Sequence, residues 1–201
     1  MKDIYEDDIG LQIVRANREG DIAFLKQMVA EQQFDPRHVT EVEHWNYLHR
    51  TNLINPSPKE TIQFYLDHGV PVNAQDCYGM TPLHYAVREH NYDAVKLLLE
   101  AGADPNIENK DDTTAIRQTI SQIPLKEDIP IIELLIQYGA EPYKKNSYGM
   151  SLLDSAKLSL MLKGGSSEVR SLIEKLVEKL EENIPSDYVP KDFSYLNLGK
   201  K

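Results

Sequence analysis

Histidine and cysteine are the residue types with which this chain could bind a metal ion or attack a substrate. The chain has 6 histidines and a single cysteine, Cys77. One cysteine cannot form an intramolecular disulfide or a multi-cysteine zinc site, and the histidines show no H-E-x-x-H spacing. A lone thiol at a predicted turn is more often incidental than nucleophilic. The sequence therefore predicts neither a metal centre nor a cysteine nucleophile.

Acidic side chains could act as general acids, general bases or calcium ligands. The acidic stretch at residues 106–112 reads NIENKDD and lacks the central glycine and terminal glutamate of a calcium loop. Asp76 and Asp154 belong to no motif that would pair two carboxylates. The chain contains no glycine-rich phosphate loop and no G-x-S-x-G motif. We therefore expect no enzyme activity and no cofactor.

The net charge favours a basic partner. The chain has 22 Lys and Arg against 32 Asp and Glu, a net charge of −10. Residues 1–110 hold 18 acidic and 10 basic side chains, so most of the excess lies in this part. Such a surface repels nucleic acid and anionic membranes. It complements a basic protein, although solubility alone would also explain the charge.

Composition and the chain start predict the compartment. Hydrophobic residues make up 41% of the chain, enough for a packed core. No apolar run approaches the roughly 20 residues that a membrane-spanning helix needs. The start reads MKDIYEDDIG, which lacks the basic and apolar regions of a signal peptide. With one cysteine, which fits a reducing compartment, we expect a soluble, cytoplasmic protein that is a monomer on its own.

The elements that would position any functional residue recur along the chain. The clearest copy begins at Asp76 and reads DCYGMTPLHYAVREHNYDAVKLLLEAGADPN. The tripeptide Tyr-Gly-Met at residues 78–80 returns at residues 148–150. Three amphipathic segments end at Gly69, Gly102 and Gly139. A recurrence of this length is typical of a repeat protein.

Each copy makes physical sense as two short helices followed by a turn. Thr81 is a good N-cap and Pro82 suits the first helical position. The second helix turns Leu98 and its apolar neighbours inward, and Gly102 can adopt the left-handed conformation that ends it. Neither helix can bury its apolar face alone, so the copies must stack on one another.

These residues resemble the ankyrin-repeat family. The resemblance rests on the D-x-x-G-x-T-P-L-H opening and the G-A-D-x-N close of the copy that begins at Asp76. It implies an all-α repeat solenoid of stacked helix-turn-helix repeats with turn or β-hairpin tips. Its predicted parts form one domain over residues 1–182, with an N-cap at about 8–36, repeats at about 40–72, 73–105 and 106–142, and a C-cap at 143–182.

The C-terminal part of the chain leaves alternatives open. The apolar stripe of the helix predicted at about 167–182 could close the stack or form a short coiled coil. We favour the cap, because two heptads are few for a coiled coil. Residues 183–201 form a tail interrupted by Pro185 and Pro190. The tail could pack back over the last repeat, fray, or act as a binding peptide.

The resemblance implies that binding uses the turn tips and the exposed side of each first helix. Carried over position by position, the candidate partner-binding residues are Glu43, Trp45, Cys77, Tyr78, Met80, Arg88, Glu89, Lys110, Asp111, Thr113, Tyr148 and Met150. Aromatic and Met side chains are enriched in interface cores. The alternative is that the methionines pack between neighbouring tips, the tyrosines cover them, and Trp45 is partly buried.

The predicted function is a non-enzymatic protein–protein interaction module. The sharper hypothesis is a stoichiometric inhibitor that masks a basic partner, similar to the immunity proteins of bacterial toxin pairs. The alternative is a regulatory adaptor or scaffold that uses the C-terminal tail as a second binding element.

Overall fold

The computed structural model describes residues 8–53, 55–121, 127–162, 166–182 and 184–194. The chain divides into two compact units, Met1–Asp104 and Pro105–Lys201. In the described ranges all regular structure is helical. The α-helices are α1 (Ile9–Glu19), α2 (Ile22–Ala30), α3 (Tyr47–Arg50), α4 (Lys59–Asp67), α5 (Pro82–Arg88), α6 (Tyr92–Glu100), α7 (Gln118–Ser121), α8 (Asp128–Gln137), α9 (Leu152–Met161) and α10 (Ser167–Glu181).

The N-terminal unit consists of three helix pairs, which we number as the first to third repeats. Helices α1 and α2, α3 and α4, and α5 and α6 pack within their pairs. Neighbouring pairs meet through α2 with α4, α3 with α5, and α4 with α6. The second helix of each pair thus packs on the second helix of the next, which is the stacking that a repeat protein needs to bury its apolar faces.

The core of this unit follows the predicted apolar stripes. Leu25, Ile62, Val95 and Leu98 have no exposed surface. Burying a side chain of this size fully contributes about 1.5–3 kcal/mol of transfer free energy. The predicted N-cap repeat contributes Ile13, Ala16 and Leu25 to the core.

Capping residues fix where α3 and α5 begin. Asn46 and Thr81 are the N-caps, and each forms a capping box with a histidine at the third helical position, His49 or His84. A capping box satisfies two backbone N–H groups that the first turn would otherwise leave without partners. The second repeat is degenerate, since it reads Asn-Tyr-Leu-His at residues 46–49 where the third reads Thr-Pro-Leu-His, yet both repeats form the same capping box.

The C-terminal unit contains the fourth and fifth repeats. The first helix of the fourth repeat is short, because a 3₁₀ turn at Ala115–Arg117 leads into the four-residue α7. This repeat is longer than the third, because Gly139 follows Gly102 by 37 residues and Gly102 follows Gly69 by 33, and the chain between α7 and α8 falls partly at 122–126, outside the described residues. In the fifth repeat α9 packs against α10, and Ile173, Leu176 and Leu180 of the α10 stripe are buried.

The tail beyond α10 packs back on the fifth repeat. The described residues 184–194 contact α9, its N-terminal cap and the preceding turn. Phe193 is only 8% exposed. Of the three alternatives left open by the sequence, these residues adopt the first.

Candidate functional site

The turns that precede α5 and α9, and the turn before Ala115, share one geometry. In each, an Asp or Asn side-chain oxygen accepts hydrogen bonds from the backbone N–H groups two and four residues later, an arrangement typical of Asx turns. The bonds run to Asp76 from Tyr78 and Met80 (both 2.8 Å), to Asn109 from Asp111 and Thr113 (2.9 and 3.0 Å), and to Asn146 from Tyr148 and Met150 (3.1 and 3.0 Å). We call these turns the third, fourth and fifth tips, after their repeats.

A backbone bond closes each tip between its first and last residues. The N–H of Asp76 donates to Met80 O at 2.9 Å, and the equivalent bonds of the fourth and fifth tips are 3.0 and 3.1 Å long. The fourth residue of each tip is left-handed, with φ of 75° at Gly79, 52° at Asp112 and 68° at Gly149. The tips are therefore turns, and no strand occurs at them in the described residues.

This turn geometry directs the third residue of each tip into solvent. Tyr78 is 60% exposed and Tyr148 is 74% exposed. Asp111 occupies the same position in the fourth tip and is also exposed. The tips therefore present two tyrosines and one carboxylate on short, closed turns whose backbone is already ordered.

Asp76 is buried and joins the second and third repeats. Its Oδ2 accepts a bond of 2.5 Å from the hydroxyl of Tyr85 and one of 3.0 Å from Nε1 of Trp45. Burial by itself raises the pKa of this carboxyl, but the donors from Tyr85, Met80, Trp45 and Tyr78 outweigh it and hold the pKa below 3.8. Asp76 thus stays ionised at neutral pH as the acceptor of four hydrogen bonds.

A side chain at the third helical position also connects successive repeats. Nδ1 of His49 accepts from the N–H of Asn46, so Nε2 carries the proton and donates to Met80 O, 3.1 Å away. In the C-terminal unit Arg117 makes the equivalent connection, and its Nη1 donates to Met150 O at 3.0 Å. Desolvation in these buried positions lowers the pKa of the His49 imidazole and of the Arg117 guanidinium below their usual values.

Comparison with known sequences gives the family. The family model described as ankyrin repeats (3 copies) matches residues 13–109. A putative ankyrin repeat protein of Rickettsia felis is 33% identical over 148 residues, which cover 71% of this chain and 59% of the relative. The chain is an ankyrin-repeat protein.

Further relatives are longer proteins that this chain matches over part of their length. The human transient receptor potential cation channel subfamily A member 1 is 25% identical over 165 residues, 82% of this chain and 14% of that protein. A putative ankyrin repeat protein of Rickettsia bellii is 36% identical over 85 residues, 41% of this chain and 24% of the relative. This chain spans less than two thirds of each of these relatives. The ankyrin fold is a protein–protein interaction module, and that is the function class that the family establishes.

The ankyrin tips hold the predicted binding residues in different environments. Tyr78, Tyr148, Lys110 and Asp111 are exposed. The half-exposed residues are Glu43, Trp45, Cys77, Arg88, Glu89, Thr113 and Met150. Met80 is only 8% exposed, so its side chain offers little surface to a partner, in agreement with the alternative that the methionines pack between neighbouring tips.

Trp45 is partly buried, which agrees with the alternative stated for it from the sequence. Its indole N–H bonds to Asp76, and its backbone carbonyl accepts from Thr40 N–H at 3.0 Å, which closes the tip of the second repeat. Glu43 lies in this tip and accepts a backbone bond of 2.8 Å from Cys77 N–H. The tips of the second and third repeats are therefore held together by backbone and side-chain bonds.

Arg88 and Glu89 lie at the end of α5 and contact each other. Their side chains form an ion pair of 3.5 Å with both partners about one third exposed. The Arg88 guanidinium also lies 4.6 Å from the ring centre of Tyr85, within the range of a cation–π contact. A partner that binds here would meet a paired arginine rather than an isolated charge.

The acidic residues near the tips divide into exposed and buried groups. Glu41, Asp111 and Asp112 are exposed, and Glu43 and Glu89 are half-exposed. Asp76 lies in the third tip but adds no exposed charge beside these residues. The residue is 5% exposed, and its carboxylate accepts hydrogen bonds from Trp45, Tyr85 and two backbone N–H groups.

Sequence reasoning missed the residues that act between repeats. Arg117 stands where the third repeat has His84, and a long donor side chain at that position was a usable signal. No sequence signal placed Tyr188 and Lys191 of the tail on the fifth repeat.

The described residues contain no group of three or more His, Cys, Asp or Glu side chains placed to hold a metal ion. None of the helices in the described ranges is long and apolar enough to cross a membrane.

Proposed function

We propose that this ankyrin-repeat protein is a non-enzymatic inhibitor that binds a protein partner stoichiometrically and masks a basic surface on it. The exposed tip residues Tyr78, Tyr148 and Asp111 carry this proposal. Each of them exposes an aromatic ring or a carboxylate on an ordered turn, and ordering before binding reduces the entropy that binding costs.

The charge distribution supports the basic character of the partner. The net charge is −10, and Glu41, Asp111 and Asp112 expose their carboxylates at or beside the tips. Complementary charge accelerates encounter and rejects partners of like charge. Because these carboxylates are exposed, their contribution is screened by salt.

Binding at different salt concentrations tests the proposal. The protein is immobilised, partners are captured from a lysate, and each captured protein is then purified and titrated separately by calorimetry. We expect a one-to-one complex with a basic protein whose affinity falls as NaCl rises from about 0.05 M to about 0.5 M. A partner that is itself acidic, or an affinity independent of salt, would contradict it.

Matched variants separate charge from fold. The triple variant Glu41→Gln, Asp111→Asn and Asp112→Asn removes three exposed charges and keeps the side-chain sizes. It should slow association by at least about tenfold at low salt. The control is Glu168→Gln, Glu174→Gln and Glu178→Gln, which removes three exposed charges of α10 away from the tips and should leave association within about twofold.

The adaptor alternative requires a C-terminal tail that is available for a second partner. Residues 184–194 lie against the fifth repeat, so the structure favours the inhibitor over an adaptor with an extended tail. Deletion of residues 185–201 distinguishes the two, because an adaptor would lose one of two partners, whereas an inhibitor that binds through its tips would keep its one partner.

A further inference from the structure

The fifth repeat differs from the others at the position that connects successive repeats. In the second and fourth repeats a donor side chain, His49 or Arg117, binds a backbone carbonyl of the following repeat. In the fifth repeat this position is Asp154, which has only acceptor atoms when ionised. A carboxylate cannot donate a hydrogen bond to a carbonyl oxygen. Asp154 therefore needs an N–H donor at the place where His49 and Arg117 each bind a C=O acceptor.

The tail supplies that N–H group. The backbone N–H of Lys191 donates to Oδ1 of Asp154 at 2.9 Å. The second oxygen of Asp154 is already used, because it accepts from the N–H and the hydroxyl of Ser151, both at 2.9 Å. Asp154 is 1% exposed. Burial raises the pKa of Asp154, but the bonds from Lys191 and Ser151 more than offset it and lower the pKa below 3.8.

Side chains on both sides of Lys191 attach this part of the tail to the fifth repeat. The hydroxyl of Tyr188 lies 2.7 Å from Oγ of Ser151, and its ring centre lies 5.6 Å from that of Tyr143. Burial, followed by the nearby Asp154, raises the pKa of Tyr188 to about 12. Further along, the Phe193 side chain is buried.

Two lysines complete the contacts. Nζ of Lys145 donates to Val189 O at 2.6 Å and lies 5.9 Å from the ring centre of Tyr188. Nζ of Lys191 donates to Tyr148 O, at the exposed fifth tip. Val189, Pro190 and Asp192 are exposed. The segment thus lies on the surface without regular structure, like a bound peptide held at a few positions.

We propose that this surface of the fifth repeat is a peptide-binding site, and that residues 188–193 are its internal ligand. The site selects an aromatic residue, a basic residue three positions later and a second aromatic residue two positions after that, as in Tyr-x-x-Lys-x-Phe. A partner protein that presents such a segment competes with the tail. This site does not depend on the inhibitor function, because its ligand is part of the chain.

A labelled synthetic peptide of residues 184–194 tests the site. Its anisotropy is measured with the full chain and with the full-length variant Tyr188→Ala and Lys191→Pro, which removes the ring, the hydroxyl and the N–H that binds Asp154. We expect the variant to bind the peptide at least about tenfold more tightly than the full chain, since the tail no longer occupies the site. Lys191→Ala keeps the N–H and should give a smaller gain.

Changes at Asp154 show whether the peptide enters the same site. When Asp154→His is added to the tail variant, it should abolish peptide binding, because a histidine in this capping position presents a donor. His84 occupies the equivalent place in the third repeat and is also 1% exposed, so the position accommodates a histidine. Asp154→Asn retains an acceptor oxygen and should retain most of the binding.

Three outcomes would overturn the proposal. Equal or absent peptide binding by the full chain and the tail variant, with unchanged circular dichroism, would show that the tail is a fixed cap. Unfolding of the tail variant would show the same. In the unmodified chain, amide exchange at Lys191 should be at least about tenfold faster than in the middle of α9, because the tail opens without unfolding of the repeat. Equal rates would contradict a displaceable ligand.

Discussion

The third and fifth tips have the same backbone geometry and different surroundings. Asp76 and Asn146 each accept bonds from the backbone two and four residues later, and each turn exposes a tyrosine. The second oxygen of Asp76 is held by Trp45 of the preceding repeat and by Tyr85. At the fifth tip the additional contact comes from the tail, through Lys191 and Tyr148 O.

The local sequence therefore specifies the backbone of the turn, whereas residues from neighbouring segments determine which contacts the turn makes. The third tip is bonded into a network between repeats, and its carboxylate contributes to stability. The fifth tip lies beside the tail segment that occupies the proposed peptide-binding site.

Core substitutions should affect both units equally, despite their different tips. Leu98→Ala in α6 and Leu153→Ala in α9 each truncate a side chain with no exposed surface. Each should lower the free energy of unfolding by about 2–5 kcal/mol, through lost transfer free energy and the cavity left behind. Urea denaturation followed by circular dichroism measures the change. Leu11→Ala, at a position that is 45% exposed, is the control, and a loss below about 1 kcal/mol for either core variant would show that its site collapses.

Removal of the Asx side chain should cost more at the third tip than at the fifth. Asp76→Ala leaves Trp45, Tyr85 and two backbone N–H groups without their acceptor and should cost about 2–3 kcal/mol. Asn146→Ala removes two bonds at a more exposed turn and should cost about 1 kcal/mol. Thermal and urea unfolding measure both values. Equal losses would mean that the bonds between repeats at Asp76 contribute little.

The stability of the third tip should depend on pH in the acidic range. Because the folded state holds the pKa of Asp76 below 3.8, its contribution is complete above that value and is lost as pH falls below it. Asp76→Asn should therefore show a weaker fall in unfolding free energy than the parent between about pH 5 and pH 2. Part of the fall should remain in this variant, because the pKa of Asp154 is also lowered in the folded state. Identical pH profiles for the parent and the variant would contradict the proposed role of Asp76.

The exposed tyrosines should matter for binding and little for stability. Tyr78→Ala with Tyr148→Ala should change the free energy of unfolding by less than about 0.5 kcal/mol per site, as expected for surface positions. Binding of the partner should weaken by at least about tenfold if both are anchors. Calorimetry of binding and urea denaturation of the same variant separate the two effects. Unfolding of the double variant would identify the tyrosines as packing residues.

Several features of the fold could be predicted because they depend on short-range signals. Thr81, Pro82 and His84 mark the start of α5 by capping chemistry, and Gly102 follows the end of α6 in the left-handed conformation. The degenerate second repeat could be aligned because Asn46 and His49 retain the same capping box.

Other features could not be predicted, because they depend on residues far apart in the chain. Trp45 binds Asp76 from 31 residues away, and nothing in either local sequence requires the other. Arg117 takes the place of a family histidine because its longer side chain still reaches Met150 O. The partners of the tail lie about 37 residues upstream, and several placements of the tail were compatible with the sequence.

The sequence by itself determined the repeat fold, the helix starts, the tip turns and the acidic character, since each depends on residue type and on spacing within a few turns of helix. Only the tertiary structure decided that Asp76 is buried and Tyr78 exposed, and that the tail lies on the fifth repeat. The physical reason is that burial and hydrogen-bond partners depend on which distant segments meet. At Asp154 the sequence supplied an acceptor, and the folded chain supplied the N–H group that it binds.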